Sequence, residues 1–285
     1  MLRLPPYEYG PQHMEMYLMP LRAMRFLGLV LAFCGTAMHA SALGRADEEI
    51  AQCRARLDEL EERAAALSAE GFGRWLRTTT AALRERLAEI EQDTDELRGI
   101  DRLRAVRTHV MPVDTRAQRL IELPAFRAAC MDAGCPRAYG VGVVSSMDKV
   151  LPRAFPLPAQ AATASSVSLA RNEYEAFQVV VVPWLGDLRE VSVEVGTLRS
   201  TDGAQLPADA LRVQTVGFVK TALPSRYNVE HVGWWPDPLL DFLPAVDVAQ
   251  GDAQAFWVQV HAPKDQASGV YRGKGRVRTA GAPTY

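Results

Sequence analysis

The densest group of polar and aromatic side chains in the sequence lies between Pro224 and Asp241. Indole rings stack on the apolar faces of sugar rings, and a neighbouring carboxylate can accept hydrogen bonds from sugar hydroxyls. This combination of residue types favours contact with a carbohydrate. The candidate contact residues are Arg226, Tyr227, His231, Trp234, Trp235 and Asp237.

The same segment also has a purely structural interpretation. Pro236 and Pro238 would stiffen a long loop, and Asp237 would hydrogen-bond backbone amides while the indoles fold over the end of a β-domain. This interpretation places Trp235 in a buried position and leaves Trp234 partly exposed. The sequence leaves both interpretations open.

Three carboxylates in this segment raise the further alternative of glycoside hydrolysis. Glu230, Asp237 and Asp241 are close enough in the chain to reach the separation that a pair of acid and base carboxylates needs. Carboxylates in proline-rich turns, however, more often accept local hydrogen bonds. We therefore assign no catalytic residue.

Other classes of function lack their usual signatures. The sequence has no nucleophile elbow, phosphate-binding loop, His-Glu-x-x-His motif or dinucleotide-binding glycine pattern. Its 32 basic and 34 acidic residues give a net charge of −2, which offers no general attraction to nucleic acid. Five histidines and four cysteines are scattered without zinc-finger spacing, so we predict no metal and no cofactor.

The N-terminus carries the pattern of a secretory signal peptide. Arg22 and Arg25 precede an apolar run over 26–33, and Ala40-Ser-Ala42 fits a cleavage site. The apolar run is shorter than the roughly 20 residues of a bilayer span, although a retained membrane helix is an alternative. We predict that residues 1–42 are an N-terminal extension and signal peptide. The mature protein would be secreted or periplasmic, with no membrane contact after cleavage.

Cleavage would leave three cysteines in the mature chain. Cys130 and Cys135 flank a turn that contains Gly134, so a small local disulfide is geometrically open to them. Cys53 lies on an apolar helical stripe, which is typical of a buried thiol. The sequence leaves the pairing of Cys130 and Cys135 open.

Residues 43–139 are predicted to form a helical segment. Apolar residues recur at steps of three and four in two seams that meet at Gly71-Phe-Gly73, which predicts an antiparallel hairpin. A further helix is expected from Thr115 to Met131, broken by Pro124. The segment would act as a spacer or, alternatively, as a homodimerising coiled coil. The seams are Ile50, Cys53, Leu57, Leu60, Ala64 and Leu67, and then Leu76, Thr80, Leu83, Leu87, Ile90, Thr94 and Leu97.

From residue 140 the hydrophobic period changes to two. Alternation around Glu173–Val182, Leu211–Lys220 and Ala255–Ala262 predicts strands, with Pro and Gly turns and no intervening helices. The predicted fold class is mainly β, an antiparallel β-sandwich over 140–279 preceded by the α-helical hairpin. Residues 280–285 would be a linker. The abrupt change in composition near 140 predicts two parts that fold independently.

Several motifs of the β-rich part, taken in order, resemble the N-terminal β-sandwich domain of glycoside hydrolase family 123-like proteins. They are Leu169-Ala-Arg-Asn-Glu-Tyr-Glu-Ala-Phe-Gln178, Val216-Gly-Phe-Val-Lys220, Gly233-Trp-Trp-Pro-Asp-Pro-Leu-Leu240, Ala255-Phe-Trp-Val-Gln-Val-His-Ala-Pro-Lys-Asp265 and Gly269-Val-Tyr-Arg-Gly273. The resemblance implies a multidomain protein in which a (β/α)-barrel follows the sandwich and carries an adjacent Asp-Glu pair. Characterised members of that family are exo-β-N-acetylgalactosaminidases that use the acetamido group of the substrate as the nucleophile.

The length of the chain bears on what this resemblance implies. Only six residues follow Thr279 in a chain of 285, whereas a barrel needs about 250. We therefore expect the catalytic barrel to be missing here and the chain to be a non-catalytic accessory region, with that barrel and an amino-sugar glycan as partners. The alternatives are a stand-alone carbohydrate-binding protein and a structural or oligomerising secreted protein.

Overall fold

The computed structural model describes residues 44–154, 157–162, 164–221 and 231–285. The predicted signal peptide and the candidate residues Arg226 and Tyr227 lie outside these ranges.

Three helices precede the strands in the described part of the chain. Helix α1 covers residues 44–65, α2 covers Gly71–Thr94 and α3 covers Gly99–Asp132. The predicted hairpin of α1 and α2 is present, and most of both apolar seams is buried inside the bundle. The guanidinium group of Arg77 donates hydrogen bonds to the carbonyls of Ala64, Leu67 and Ser68, which satisfies groups that the end of α1 leaves unpaired.

The third helix is longer than the sequence predicts. It runs unbroken through Pro112 and Pro124 over 34 residues, whereas we expected a helix from Thr115 that Pro124 breaks. A proline inside a helix costs roughly 3 kcal/mol because it removes a hydrogen bond and crowds the preceding turn. Val110 and Val113 flank the first proline, and Leu123 and Cys130 lie near the second, all of them buried. Their burial offsets the cost of both prolines.

The strands form an antiparallel sandwich, which confirms the predicted fold class. The larger sheet has the order β2-β1-β3-β9-β6-β7, and a three-stranded sheet has the order β11-β4-β8. A short pair, β5 with β10, lies beside them. The bounds are β1 Tyr139–Ser145, β2 Gln160–Ala161, β3 Glu173–Pro183, β4 Leu188–Val195, β5 Arg199–Ser200, β6 Leu211–Lys220, β7 Trp234–Leu240, β8 Val246–Val248, β9 Gln254–Ala262, β10 Tyr271–Arg272 and β11 Gly275–Ala280.

The burial pattern of β3 shows that its second half is covered on both faces. Val180, Val181 and Val182 are all fully buried, although alternate residues of a strand point to opposite faces. The same buried core contains residues of α3 and residues of the three-stranded sheet. A strand packed on both sides has a continuous apolar run, as this one does.

The buried core crosses residue 140, the predicted boundary between the two parts. Trp184 is fully buried, and its indole N–H donates to the carbonyl of Arg137 at 2.6 Å. A Cβ atom at Gly140 would lie 2.5 Å from the Trp184 ring and 2.7 Å from the sulfur of Cys130, so only glycine fits there. The end of α3, β1 and the end of β3 are therefore interlocked.

Of residues 280–285, expected to form a linker, Ala280 ends β11 and the following residues fold back against that strand. Val277 and Tyr285 exchange two backbone hydrogen bonds of 2.7 and 3.1 Å. The hydroxyl of Tyr139 donates to the carbonyl of Pro283 at 2.6 Å. These contacts tie the segment to β11 and β1.

Candidate functional site

The central part of the predicted site is an edge strand and not a loop. Residues Trp234–Leu240 form β7, which pairs with β6 and ends the larger sheet among the described residues. Pro236 and Pro238 look like loop residues because they cannot donate to a ladder, but a strand at an edge needs only one of its sides to be paired. Gly217 allows the close approach, since a Cβ atom there would lie 2.8 Å from Pro238 and 2.9 Å from Leu240.

The strand conformation separates the two indoles. Trp234 pairs with Lys220 and Trp235 with Val219, so the two side chains point to opposite faces. The Lys220 ammonium lies 6.0 Å from the Trp234 ring, and the Lys149 ammonium lies 4.8 Å from the Trp235 ring. The two rings therefore cannot form one flat platform under a sugar.

Trp235 belongs to a small packed cluster with His231. Its indole N–H donates to the backbone carbonyl of His231 at 3.2 Å, and the two rings lie 5.5 Å apart. His231 is only 6% exposed, and Trp235 is half-buried. This cluster holds the start of β7, and His231 is too deeply buried to present its ring to a bulky ligand.

Trp234 is 42% exposed and lines a groove of about 400 Å³. The floor of the groove is largely apolar, formed by β6, the end of β7 and β8. Arg153 and Asp252 lie among the residues that line it. Leu240, Leu243, Val246, Val248 and Gln254 line it as well. An exposed indole at an apolar groove whose lining includes the 60% exposed side chain of Arg153 has the chemistry of a sugar contact.

Asp252 organises the charged part of this groove. One carboxylate oxygen pairs with Arg116 at 3.3 Å and the other with Arg153 at 2.6 Å. Burial lowers the pKa of Arg116, and the charge of Asp252 opposes that shift. Arg119, also on α3, donates to the carbonyls of Leu151 and Ala154, which fixes the turn that carries Arg153. These residues were not predicted from the sequence, because they lie far apart in the chain and match no motif.

Asp237 faces a separate pocket of about 230 Å³, where Asp148, Lys149 and Gln178 also lie. Asp241, at the end of β7, is held in a bidentate ion pair with Arg212, with contacts of 2.9 and 2.5 Å. The carboxylate of Asp241 is therefore already occupied by a guanidinium group. Among the described residues no group of three or more His, Cys, Asp or Glu side chains could hold a metal ion.

Exposed apolar residues concentrate around β7. Val219, Trp234, Leu239 and Phe242 are all more than a third exposed, and Phe242 reaches 82%. We call these four residues the apolar edge; it includes both faces of the edge strand, because Val219 pairs with Trp235 and Trp234 points to the other face. No helix of the described part of the chain is both long enough and apolar enough to cross a membrane.

The fold defines a class: an antiparallel β-sandwich domain that packs on a helical bundle. Within it, residues 152–279 match the family model of the glycoside hydrolase 123 N-terminal domain, which confirms the resemblance seen in the sequence motifs.

A solved structure also aligns with part of the chain. It comes from a study of glycolipid glycan hydrolysis by a family 123 glycoside hydrolase from Clostridium perfringens. The alignment has a TM-score of 0.43 and 10% identity, and it covers 52% of this chain but only 26% of that one. Comparison with curated proteins gives no significant match.

Proposed function

We propose that this chain is the non-catalytic accessory region of a secreted glycoside hydrolase 123-like protein, in which the sandwich supports a catalytic barrel. The observation that carries the proposal is the match of the N-terminal domain model to residues 152–279, the part of the chain that contains most of the sandwich. The predicted signal peptide supports secretion through its sequence alone.

The geometry around β7 supports a supporting role over a catalytic one. The side chain of Asp241 is 52% exposed but paired with Arg212, and His231 is buried against Trp235, so neither is arranged as an acid or base open to a substrate. The apolar edge, in contrast, presents large side chains that gain free energy when another domain covers them. A catalytic barrel is the partner that the family resemblance implies.

The first prediction concerns activity. The purified chain should release no chromophore from an aryl β-N-acetylgalactosaminide, because the proposed role leaves the chemistry to the barrel. The assay needs the same chain with Asp237→Ala and with Asp241→Ala as controls for trace contamination. Release by the unchanged chain that either substitution abolishes would show a catalytic site here and overturn the proposal. Reading the coding DNA beyond codon 285 gives an independent check, since the proposal expects an in-frame barrel.

A second candidate function is direct contact with an amino-sugar glycan. The observation that favours it is the exposed indole of Trp234 beside the groove that Arg153 and Asp252 line. One stacked ring with a few hydrogen-bonding groups supports weak binding, in the millimolar range. This contact is compatible with the accessory role, because a sandwich beside a barrel can extend the surface that meets a glycan.

The helical bundle supports packing more than dimerisation. The seam residues that motivate a coiled-coil homodimer, Leu57 and Leu60 among them, are fully buried within the chain. A homodimer through the helices would therefore use their outer, charged faces.

A further inference from the structure

The end of α3 has a specific backbone motif that brings two cysteines together. Gly134 has a φ of +81°, and its N–H donates to the carbonyl of Met131 at 3.1 Å. The N–H of Cys135 donates to the carbonyl of Cys130 at 2.9 Å. These two hydrogen bonds define a Schellman motif, in which the side chain just past the left-handed residue contacts a side chain of the last helical turn. Cys135 and Cys130 occupy those two positions.

Contacts with β1 position the sulfur atoms of Cys130 and Cys135 next to the same backbone carbonyl. The sulfurs of Cys130 and Cys135 lie 3.6 and 3.9 Å from the same carbonyl oxygen, that of Val141 in β1. Cys130 is fully buried and Cys135 is 6% exposed. Gly140 leaves room for the Cys130 sulfur, and the hydroxyl of Tyr285 donates to the carbonyl of Ala133 at 3.4 Å beside the pair.

The two thiols differ in acidity because of their contact. Their mutual contact lowers the pKa of Cys135, while the same contact and burial raise the pKa of Cys130. The Tyr285 hydroxyl further lowers the pKa of Cys135. Cys135 is also the more exposed of the two, at 6% against 0% for Cys130, so it is the thiol that an external disulfide reaches first.

We propose that Cys130 and Cys135 are a disulfide-forming pair that fastens the C-terminal turn of α3. In the first step the Cys135 thiolate attacks a small-molecule disulfide such as oxidised glutathione, which forms a mixed disulfide and releases one thiolate. In the second step the Cys130 sulfur, after losing its proton, attacks the Cys135 sulfur and releases the second thiol. Both cysteines are oxidised, and one disulfide is reduced to two thiols.

Cys53 provides an internal contrast. It is fully buried in α1, and burial, together with the charge of Asp114, raises its pKa to about 12. A thiol with so little thiolate is a poor partner in exchange. We expect it to stay reduced.

The test is a peptide map of the full chain after refolding in oxidised and reduced glutathione. Trypsin cuts after Arg127 and Arg137, so both cysteines fall within one peptide, 128–137. The expected result is a peptide two hydrogens lighter than the reduced form, which iodoacetamide does not label until a reductant is added. A C53S chain should give the same peptide. Alkylation of both cysteines before reduction, or a cross-link from either of them to Cys53, would overturn the proposal.

A thermal melt of the full chain gives a second readout. Adding a reductant to the oxidised protein should lower Tm by about 5 °C, because the closed loop constrains the unfolded chain. The C53S chain should show the same drop, and a C130S/C135S chain should show none. Equal melts of oxidised and reduced wild-type protein would contradict the fastening role.

Discussion

Trp234 and Trp235 are neighbours in the chain but have different surroundings. Trp234 is exposed at a groove, whereas Trp235 hydrogen-bonds to the backbone of His231 and packs on its ring. A substitution at either position therefore reports on a different property. The first reports on ligand contact, and the second reports on the stability of β7.

Trp235→Ala should cost about 2 kcal/mol of unfolding free energy, because it removes a half-buried ring and its hydrogen bond. Trp234→Ala should leave Tm almost unchanged and weaken binding of an N-acetylgalactosamine-bearing glycan about fivefold, the value of one stacked ring. Thermal melts and an NMR titration measure the two effects. Tyr174→Ala, which removes an aromatic ring that is 59% exposed and is not among the groove residues, is the control for nonspecific loss. Binding that is unaffected by Trp234→Ala would remove the groove as the glycan site.

At this scale the sequence predicts the exposure of the indoles better than their arrangement. Composition and proline placement predict one more buried and one more exposed indole, and the structure has Trp235 half-buried and Trp234 exposed. Their opposite orientation follows from the strand conformation of β7. Pro236 and Pro238 make this segment resemble a loop, so the sequence does not predict the strand. The Asp252 cluster could not be predicted, because the fold alone brings Arg116, Arg153 and Asp252 together.

Among the elements, β7 is an edge strand with several exposed side chains. It ends the sheet among the described residues, and its two prolines remove donors that a foreign strand would need. Another domain would therefore contact the side chains of β7 and would not extend the sheet through its backbone.

Replacing Leu239 and Phe242 by Ser should reduce the fluorescence of an apolar dye bound to the chain, since both side chains belong to the apolar edge. Tm should change little, because both residues are exposed. The matched control replaces Ile100 and Val270, which are 52% and 62% exposed elsewhere on the chain. An equal loss of fluorescence in both double variants would show that the apolar edge is not a distinct surface.

The secondary structure elements also show where prediction from hydrophobic periodicity succeeds and where it fails. The predicted strand Leu211–Lys220 matches β6 at both ends, because it is rich in β-branched residues and Pro207 ends the preceding segment. Helix α3 exceeds its prediction because tertiary packing outweighs the local cost of Pro112 and Pro124. Local sequence preferences therefore predict an element correctly where tertiary packing favours the same conformation.

Across the whole molecule the helices and the sandwich share one buried core. Val180, Val182 and Trp184 lie in the same cluster as Val113, Leu120 and Cys130 of α3. This shared burial argues against the independent folding that the composition predicts.

A fragment from Ala138 to Thr279 should therefore fail to melt cooperatively, because it exposes core residues of β3 and also loses the Val277–Tyr285 hydrogen bonds. The comparison is a chain from Gly44 to Tyr285, followed by circular dichroism through a thermal scan. A fragment with a sharp transition and a β-type spectrum would show that the sandwich folds without the helices.

The turn before β9 connects the groove to the helices. Gly251 has a φ of +77°, and a Cβ atom there would lie 2.3 Å from the Trp75 ring of α2, so the turn is wedged against the bundle. Its carbonyl accepts a hydrogen bond from Arg116 of α3 at 3.0 Å, and the next residue, Asp252, holds Arg153 at the groove. The placement of Arg153 at the groove therefore depends on contacts that α2 and α3 make with this turn. The helical bundle thus positions a groove to whose lining it contributes no described residue.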